Sequence, residues 1–169
     1  LKPENLLVGS DKLTNASINR LRVTDFGLAS ILGGLTGAGA VDANDSASFG
    51  RTQLTHGVVG TPLYMAPEQW RGEEVSAQTD MYALGLMLFE MIAGERAVSG
   101  GILKDLEQAH TQGKFRVLPT SLPEGVRAIV GRCLRLASSE RYGSWGDVER
   151  ALSQAYTFLT HESAPPPAA

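Results

Sequence analysis

Residues 1–5 read Leu-Lys-Pro-Glu-Asn, and twenty positions after the last of them the chain reads Asp25-Phe26-Gly27. A third short stretch, Ala66-Pro67-Glu68, begins forty-one positions after Asp25. The runs Leu6-Leu7-Val8 and Arg20-Leu21-Arg22-Val23 are typical of short strands, and a polar stretch joins them. They predict a loose hairpin that brings Asp25 back beside Asn5.

Beyond residue 66 the sequence is helical by pattern. Thr79 to Ala93 is apolar on nearly every side, which predicts a buried central helix. Three further helices are predicted by apolar residues at helical spacing. These residues are Ile102, Leu103, Leu106 and Ala109; Val126, Ile129, Val130, Cys133 and Leu134; and Val148, Ala151, Leu152, Ala155, Tyr156 and Leu159. Pro123 suits the first turn of the second of these helices. The fold class predicted is therefore mainly α with a short β-hairpin.

Two segments lack the apolar periodicity of a buried element. Residues from Leu28 to Val59 are rich in Gly, Ala, Ser, Thr and Asp, which predicts a long mobile loop. The end of the chain, Ala164 to Ala169, contains three consecutive prolines and is typical of an extended or disordered tail.

Composition excludes several classes of protein. The 169 residues carry a net charge of −3 without a basic run, which argues against a nucleic-acid or anionic-lipid partner. The longest apolar run, Met81 to Phe89, has nine residues, too few to span a membrane, and no signal segment opens the chain. The single cysteine, Cys133, fits a reducing compartment and predicts a cytoplasmic protein. His56, His110 and His161 have no Cys or carboxylate at metal-ligand spacing, which predicts ordinary surface or loop histidines.

The polar residues around the predicted hairpin suit phosphate chemistry. Asn5 supplies an amide oxygen and Asp25 a carboxylate, the hard oxygen ligands that Mg²⁺ prefers. Lys2 is a compact positive charge that can reach a phosphate, and Gly27 allows the turn that aims Asp25 inward. Phosphoryl transfer needs mainly positioning and charge neutralisation of this kind.

In order and spacing these motifs resemble the eukaryotic-type serine/threonine protein kinase family, over residues 1–159, with 160–169 as a Pro/Ala-rich tail. Lys2-Pro3-Glu4-Asn5 and the stretch from Gly60 to Glu68 resemble the serine/threonine class. Pro67-Glu68-Gln69 and the run from Asp80 to Gly85 look most like bacterial members. The resemblance implies the large, C-terminal lobe of the kinase fold, from the catalytic loop to the last helix, with the small lobe absent.

The resemblance also assigns roles to individual residues. It implies that Lys2 contacts the transferring phosphate, that Asn5 and Asp25 bind Mg²⁺, and that Leu7 packs under the adenine of ATP. Thr61 would tie the substrate-side loop to the catalytic Asp. That Asp, the general base, would lie directly upstream of residue 1.

Five further residues receive structural or substrate roles. Resemblance pairs Glu68 with Arg141 in a buried bidentate ion pair. Asp80 would accept hydrogen bonds from the catalytic-loop backbone, or else is a plain charge at a helix N-terminus. Glu4 and Glu90 match positions that in some relatives meet basic substrate side chains, with solvated or capping carboxylates as the alternative.

The segment between Asp25 and Glu68 corresponds to an activation segment. Thr55, five residues before Gly60, lies where bacterial relatives place a regulatory phosphothreonine, with Thr52 as the next candidate. Phosphate there would add roughly −1.5 to −2 charge and order the loop against a basic partner.

The sequence also departs from the family pattern. It contains no glycine-rich loop, no strand Lys and no His-Arg-Asp triplet, and Glu95-Arg96-Ala97-Val98 replaces a common Pro-Pro-Phe turn at a place expected to be away from the chemistry. The function predicted is that of a serine/threonine protein kinase that uses ATP and Mg²⁺ on protein substrates. The chain alone, without its small lobe, is expected to be inactive. The alternative is a non-catalytic kinase-like interaction module, the remnant of a pseudokinase.

Overall fold

The computed structural model describes residues 2–8, 21–24, 62–99 and 102–165. They divide between two compact units. The N-terminal unit is described at residues 2–8 and 21–24, and the second unit, here called the helical body, at residues 62–99 and 102–165. The loop predicted from Leu28 to Val59 and the last four residues of the predicted tail lie outside the described residues.

The N-terminal unit begins with a turn of 3₁₀ helix, Pro3–Asn5, whose proline stands at a position that needs no N–H donor. Two strands follow, β1 (Leu6–Val8) and β2 (Leu21–Val23). They pair antiparallel, with Leu6 opposite Val23 and Val8 opposite Leu21. Because of this register, the residue before β1 and the residue after β2 come together at one end of the ladder.

The described residues of the helical body form five α-helices, and the prediction of a mainly helical fold is confirmed. They are α1 (Pro67–Arg71), α2 (Ala77–Ala93), α3 (Leu103–Gln112), α4 (Glu124–Cys133) and α5 (Trp145–Thr160). Two 3₁₀ turns, Pro62–Tyr64 and Ser138–Glu140, complete the described elements. Within these residues, no helix combines the length and the apolar character that a membrane span requires.

Local sequence explains where the longest helices begin and end. The Ser76 N–H donates to Oγ1 of Thr79 at 3.0 Å at the start of α2, and Gly94 ends that helix with φ 72°. Ser144 caps α5 by accepting from the Asp147 N–H at 3.2 Å. Pro123 precedes α4 as its N-cap and is not inside the first turn as predicted.

The core forms where α2 packs against α4. Met81 and Cys133 are fully buried, and Tyr142 and Val148 close the same cluster. Gly85 permits the close approach, because a Cβ built there would lie 2.7 Å from Cβ of Cys133. Burial raises the pKa of the Cys133 thiol to about 11, so the thiol stays protonated and serves as a packing group.

Helix α5 is only partly covered. Val148 near its start is buried, but Tyr156, Phe158 and Leu159 near its end are 39%, 72% and 52% exposed. The apolar periodicity thus predicts the helix, while its C-terminal half stays uncovered within the described residues.

Candidate functional site

At the end of the hairpin, the backbone of Asn5 is held by Thr24. The carbonyl oxygen of Asn5 accepts the Thr24 N–H at 2.8 Å and the Thr24 hydroxyl at 3.3 Å. Thr24 directly precedes Asp25 in the sequence. The structure therefore holds the chain just before the Asp25-Phe26-Gly27 triplet against Asn5.

Lys2 starts the 3₁₀ turn that presents Asn5. Its backbone is extended, it is half-buried, and its carbonyl accepts the Asn5 N–H at 3.0 Å. Glu4 lies within the same turn, and Leu7 is the middle residue of β1, opposite Arg22.

The described residues hold only part of the predicted site. Asp25, Thr61, Thr55 and Thr52 lie outside them. Among the residues that the structure describes, no group of three or more His, Cys, Asp or Glu side chains could hold a metal ion. Asn5 is thus the one predicted metal ligand whose position is described.

In the helical body, the structure brings Glu68 and Arg141 together. Nη1 of Arg141 lies 2.6 Å from Oε1 of Glu68, and Nη2 lies 2.8 Å from Oε2. Both residues are buried, at 3% and 2% exposure. The two parallel hydrogen bonds join α1 to the segment before α5 with the geometry in which an arginine–carboxylate pair is strongest.

The other donors of Arg141 are also satisfied. Nε donates to the carbonyl of Arg135 at 2.9 Å, and Nη1 donates to that of Gln78 at 2.8 Å. Nη2 reaches the carbonyl of Leu136 at 3.3 Å. Every N–H donor of the buried guanidinium thus has an acceptor, so no free energy is lost to an unpaired buried donor. Through these hydrogen bonds Arg141 connects α1, α2 and the turn after α4.

Thr79 completes the site, and the sequence reasoning missed it. Its hydroxyl donates to Oε1 of Glu68 at 2.9 Å. Burial raises the pKa of the Glu68 carboxyl, but hydrogen bonds from Arg141 and Thr79 outweigh burial, so the pKa lies below its ordinary value. A threonine at the polar start of the otherwise apolar α2 was the available signal in the sequence.

A second cluster surrounds Glu90 in the last turn of α2. The Tyr64 hydroxyl donates a short hydrogen bond to Oε2 of Glu90. Nε of Arg96 lies 3.7 Å from Oε1 of the same carboxylate. Sequence reasoning placed Arg96 away from the chemistry, because the Gly94 turn that folds it back beside α2 leaves no periodic signal.

His110 forms the third cluster and was expected to be an ordinary surface or loop histidine. It is fully buried on α3, with Nδ1 2.8 Å from the Tyr82 hydroxyl and its ring stacked on Trp70. Burial lowers the pKa of His110 to about 4, although the backbone of Leu63 lies close enough to raise that pKa slightly. Nε2 has no hydrogen-bond partner of good geometry among the described residues. The expectation of an exposed histidine is wrong, because α3 turns this residue into the contact with α1 and α2.

Asp80 lies in the first turn of α2 and is exposed on the helical body. Its carboxylate suits the positive end of the helix dipole. Of the predicted site residues, the structure thus joins Glu68 to Arg141 and places Glu90 and Asp80 at opposite ends of one helix.

A family model described as the protein kinase domain matches residues 1–157. The chain belongs to the protein kinase family. Similar kinases are found among bacteria. The chain is 30% identical over 153 residues to the serine/threonine-protein kinase drp72 of Corynebacterium efficiens, covering 90% of this chain and 25% of that kinase.

Two other bacterial kinases give a similar result. Serine/threonine-protein kinase PknA of Corynebacterium glutamicum is 31% identical over 153 residues, which cover 90% of this chain and 28% of that kinase. PknA of Mycobacterium tuberculosis is 29% identical over the same length, covering 90% of this chain and 30% of that kinase. The resemblance to bacterial serine/threonine kinases is confirmed, and the chain spans about a quarter to a third of the length of these relatives.

Proposed function

We propose that the protein containing this chain transfers the γ-phosphoryl group of ATP to serine and threonine hydroxyls of protein substrates. The observation that carries the proposal is the double hydrogen bond from Thr24 to the Asn5 carbonyl. It holds Thr24, the residue that precedes Asp25 in the sequence, against Asn5. The match to the protein kinase family supports this reading.

The donor set fits magnesium. Asn5 and Asp25 offer an amide and a carboxylate oxygen, both hard ligands, and would hold Mg²⁺ between them. The ion neutralises phosphate charge when bound. Lys2 would contact the transferring phosphate, Leu7 would pack under the adenine of ATP, and Thr61 would tie the substrate-side loop to the catalytic Asp.

The helical body would support the substrate side of the site. The Glu68–Arg141 pair fixes α1, which directly follows the segment that ends at Pro62–Tyr64. Asp80 would accept hydrogen bonds from the catalytic-loop backbone, and Glu4 and Glu90 would face the protein substrate. In these roles, the Glu68–Arg141 pair and Asp80 would hold neighbouring parts of the chain in position and would take no part in the chemistry.

Regulation would act through the segment before Gly60. Thr55 is the proposed main phosphorylation site and Thr52 the second. Phosphopeptide mapping of the active protein is expected to find phosphate on Thr55. Phosphate confined to Ser46 or Ser48 would contradict the assignment.

The 169 residues alone are proposed to be inactive, because they contain no glycine-rich loop, no strand Lys and no His-Arg-Asp triplet. A cytoplasmic location is proposed from the single cysteine, Cys133, which fits a reducing compartment.

The test uses the complete polypeptide encoded by the gene, with radiolabelled ATP, Mg²⁺ and a serine/threonine peptide library. We expect transfer by the wild type and loss of transfer to background in Asn5→Ala, which removes the amide ligand, and in Asp25→Asn, which removes the negative charge of the carboxylate ligand. Asn19→Ala, an asparagine in the polar stretch between the strands, is the matched control and should keep activity. Transfer by the 169-residue chain would contradict only its proposed inactivity.

A complete polypeptide that folds but transfers no phosphate would contradict the kinase activity itself. That outcome would favour the alternative of a non-catalytic interaction module. Full activity in Asp25→Asn would contradict the metal assignment and leave the family membership untouched.

A further inference from the structure

The carboxylate of Glu90 is already engaged on both oxygens by groups of the same unit. Oε2 accepts the Tyr64 hydroxyl, and Oε1 lies 3.7 Å from Nε of Arg96. The Glu90 side chain is 33% exposed and that of Arg96 is 56% exposed. A ligand from solvent therefore meets a carboxylate whose charge is balanced by an arginine of the protein itself.

Beside this pair lies a cavity of about 10 Å³. Its apolar walls are formed by Leu63, Leu86, Ala97 and Val98. A space of this size holds about one water molecule. Because the Arg96 guanidinium lies beside Oε1 and the Tyr64 hydroxyl occupies Oε2, the head group of an arginine or lysine from a peptide would compete with Arg96 for the Glu90 carboxylate.

If a basic group of the peptide displaces Arg96, the Glu90 carboxylate exchanges one cation for another, and the number of ion pairs does not increase. The closest contact between Arg96 and Glu90 runs from Nε to Oε1, at 3.7 Å, and the terminal nitrogens of the half-exposed guanidinium bring further donors to another acceptor. An acidic peptide side chain can use those donors, whereas a basic one is repelled by the guanidinium.

We propose that Arg96 is a specificity-determining residue that blocks selection of basic substrate side chains at Glu90 and favours acidic or uncharged ones. The proposal rests on the proposed kinase function and on the substrate role of Glu90. Arg96 would supply from within the chain the positive charge that a substrate would otherwise bring.

The experiment is a positional peptide scan with the complete polypeptide. Peptides differ only by Arg, Gln or Glu at each position around the phosphate-accepting residue. The wild type is expected to show no preference for Arg. Arg96→Ala should acquire a preference for Arg over Glu at one position, by about fivefold in kcat/KM and mainly through KM, the scale of an exposed ion pair. The double variant Arg96→Ala/Glu90→Gln should lose that preference, and Arg96→Lys should behave as the wild type.

Arg116→Ala is the matched control. Arg116 forms a similar exposed ion pair, with Glu95, but does not line the cavity at Glu90. It should leave the peptide preference unchanged. Equal unfolding temperatures of the variants ensure that the comparison concerns folded protein.

Two outcomes overturn the proposal while the kinase function stands. One is an Arg preference in the wild type that Glu90→Gln removes. The other is an unchanged preference in Arg96→Ala. If the wild type phosphorylates no peptide at all, the proposed function fails and this inference falls with it.

Discussion

The carboxylate of Glu68 decides whether the buried guanidinium of Arg141 is a satisfied or a stranded charge. Glu68→Gln removes the negative charge but keeps the shape. We expect the variant to lower the free energy of unfolding by roughly 3 to 5 kcal/mol, because breaking one partner leaves the other uncompensated in the interior. Urea denaturation of the wild type and the variant measures the difference.

The matched control is Glu73→Gln. Glu73 pairs with Arg71 at 2.7 Å, but the two side chains are 53% and 41% exposed. Exposed pairs contribute about 0 to 1 kcal/mol. If Glu68→Gln and Glu73→Gln lower the free energy of unfolding equally, burial does not determine how much the Glu68–Arg141 pair contributes to stability.

His110 makes stability depend on pH. Its pKa is about 4 in the folded protein, below the ordinary 6.5, so folding favours the neutral ring. The stabilisation is complete above about pH 6.5 and is lost as pH falls towards 4, with a limit of about 3 kcal/mol for this shift. His110→Gln, which keeps a polar side chain able to hydrogen-bond the Tyr82 hydroxyl, should flatten the stability profile between these pH values.

Denaturation midpoints measured from pH 7 to pH 4 test this prediction. The lowered pKa of Glu68 also costs stability in acid, but only as pH falls below the ordinary value of 4.5. The control is His161→Asn, which removes an exposed histidine at a left-handed position with φ 59° that asparagine tolerates. If the dependence of stability on pH is the same for His110→Gln as for His161→Asn, protonation of His110 does not cause the loss of stability in acid.

Contacts of single residues were predictable to different degrees. Resemblance paired Glu68 with Arg141 across the sequence, and Glu68 stands in the recognisable stretch Ala66-Pro67-Glu68. Thr79 and Arg96 had no such motif. Their roles depend on how α2 faces α1 and on how the chain turns at Gly94, and both are properties of packing that residue spacing does not contain.

At the scale of elements, the contact between α2 and α4 depends on one missing side chain. A Cβ on Gly85 would lie 2.7 Å from Cβ of Cys133 and 3.0 Å from Cδ2 of Leu134. Gly85→Ala should therefore lower the free energy of unfolding by about 1 to 3 kcal/mol, the usual cost of overpacking, despite the higher helix propensity of alanine. Thermal or urea unfolding measures it.

Gly131 in α4 provides the control, because a Cβ there meets nothing within 4 Å. Gly131→Ala should be neutral or stabilising by up to about 1 kcal/mol. A stabilised Gly85→Ala would mean that the two helices separate easily, contrary to the packed core.

Periodicity predicted the long helices because each buries an apolar face whose spacing is visible in the sequence. Helix α1 was not predicted, since its five residues are too few to show a period. Its position is set by the buried Glu68 and by Trp70 stacked on His110, which are tertiary contacts. Periodicity also could not show that none of the described residues covers the last half of α5, because an apolar pattern identifies the buried face of a helix but not the element that packs on it.

At the scale of the whole molecule, the uncovered end of α5 predicts how the 169-residue chain behaves in solution. Phe158 is 72% and Leu159 52% exposed, close to Tyr156 at 39%. Tyr156 and Leu159, three residues apart, share one face of the helix, and exposed apolar surface of this kind favours association. We expect the chain to bind an apolar fluorescent dye and to self-associate as its concentration rises, as measured by dye fluorescence and sedimentation.

The double variant Phe158→Glu/Leu159→Glu should reduce both dye binding and association, because it places charge within the patch while leaving the buried Val148 in place. Gln154→Glu/Thr157→Glu adds the same charge to exposed polar positions of the same helix and is the control for net charge alone. Equal reductions in the two variants would attribute the effect to charge repulsion. A wild-type chain that is monodisperse and binds no dye would contradict the prediction, since the exposed end of α5 would then be too small or too well hydrated to drive association.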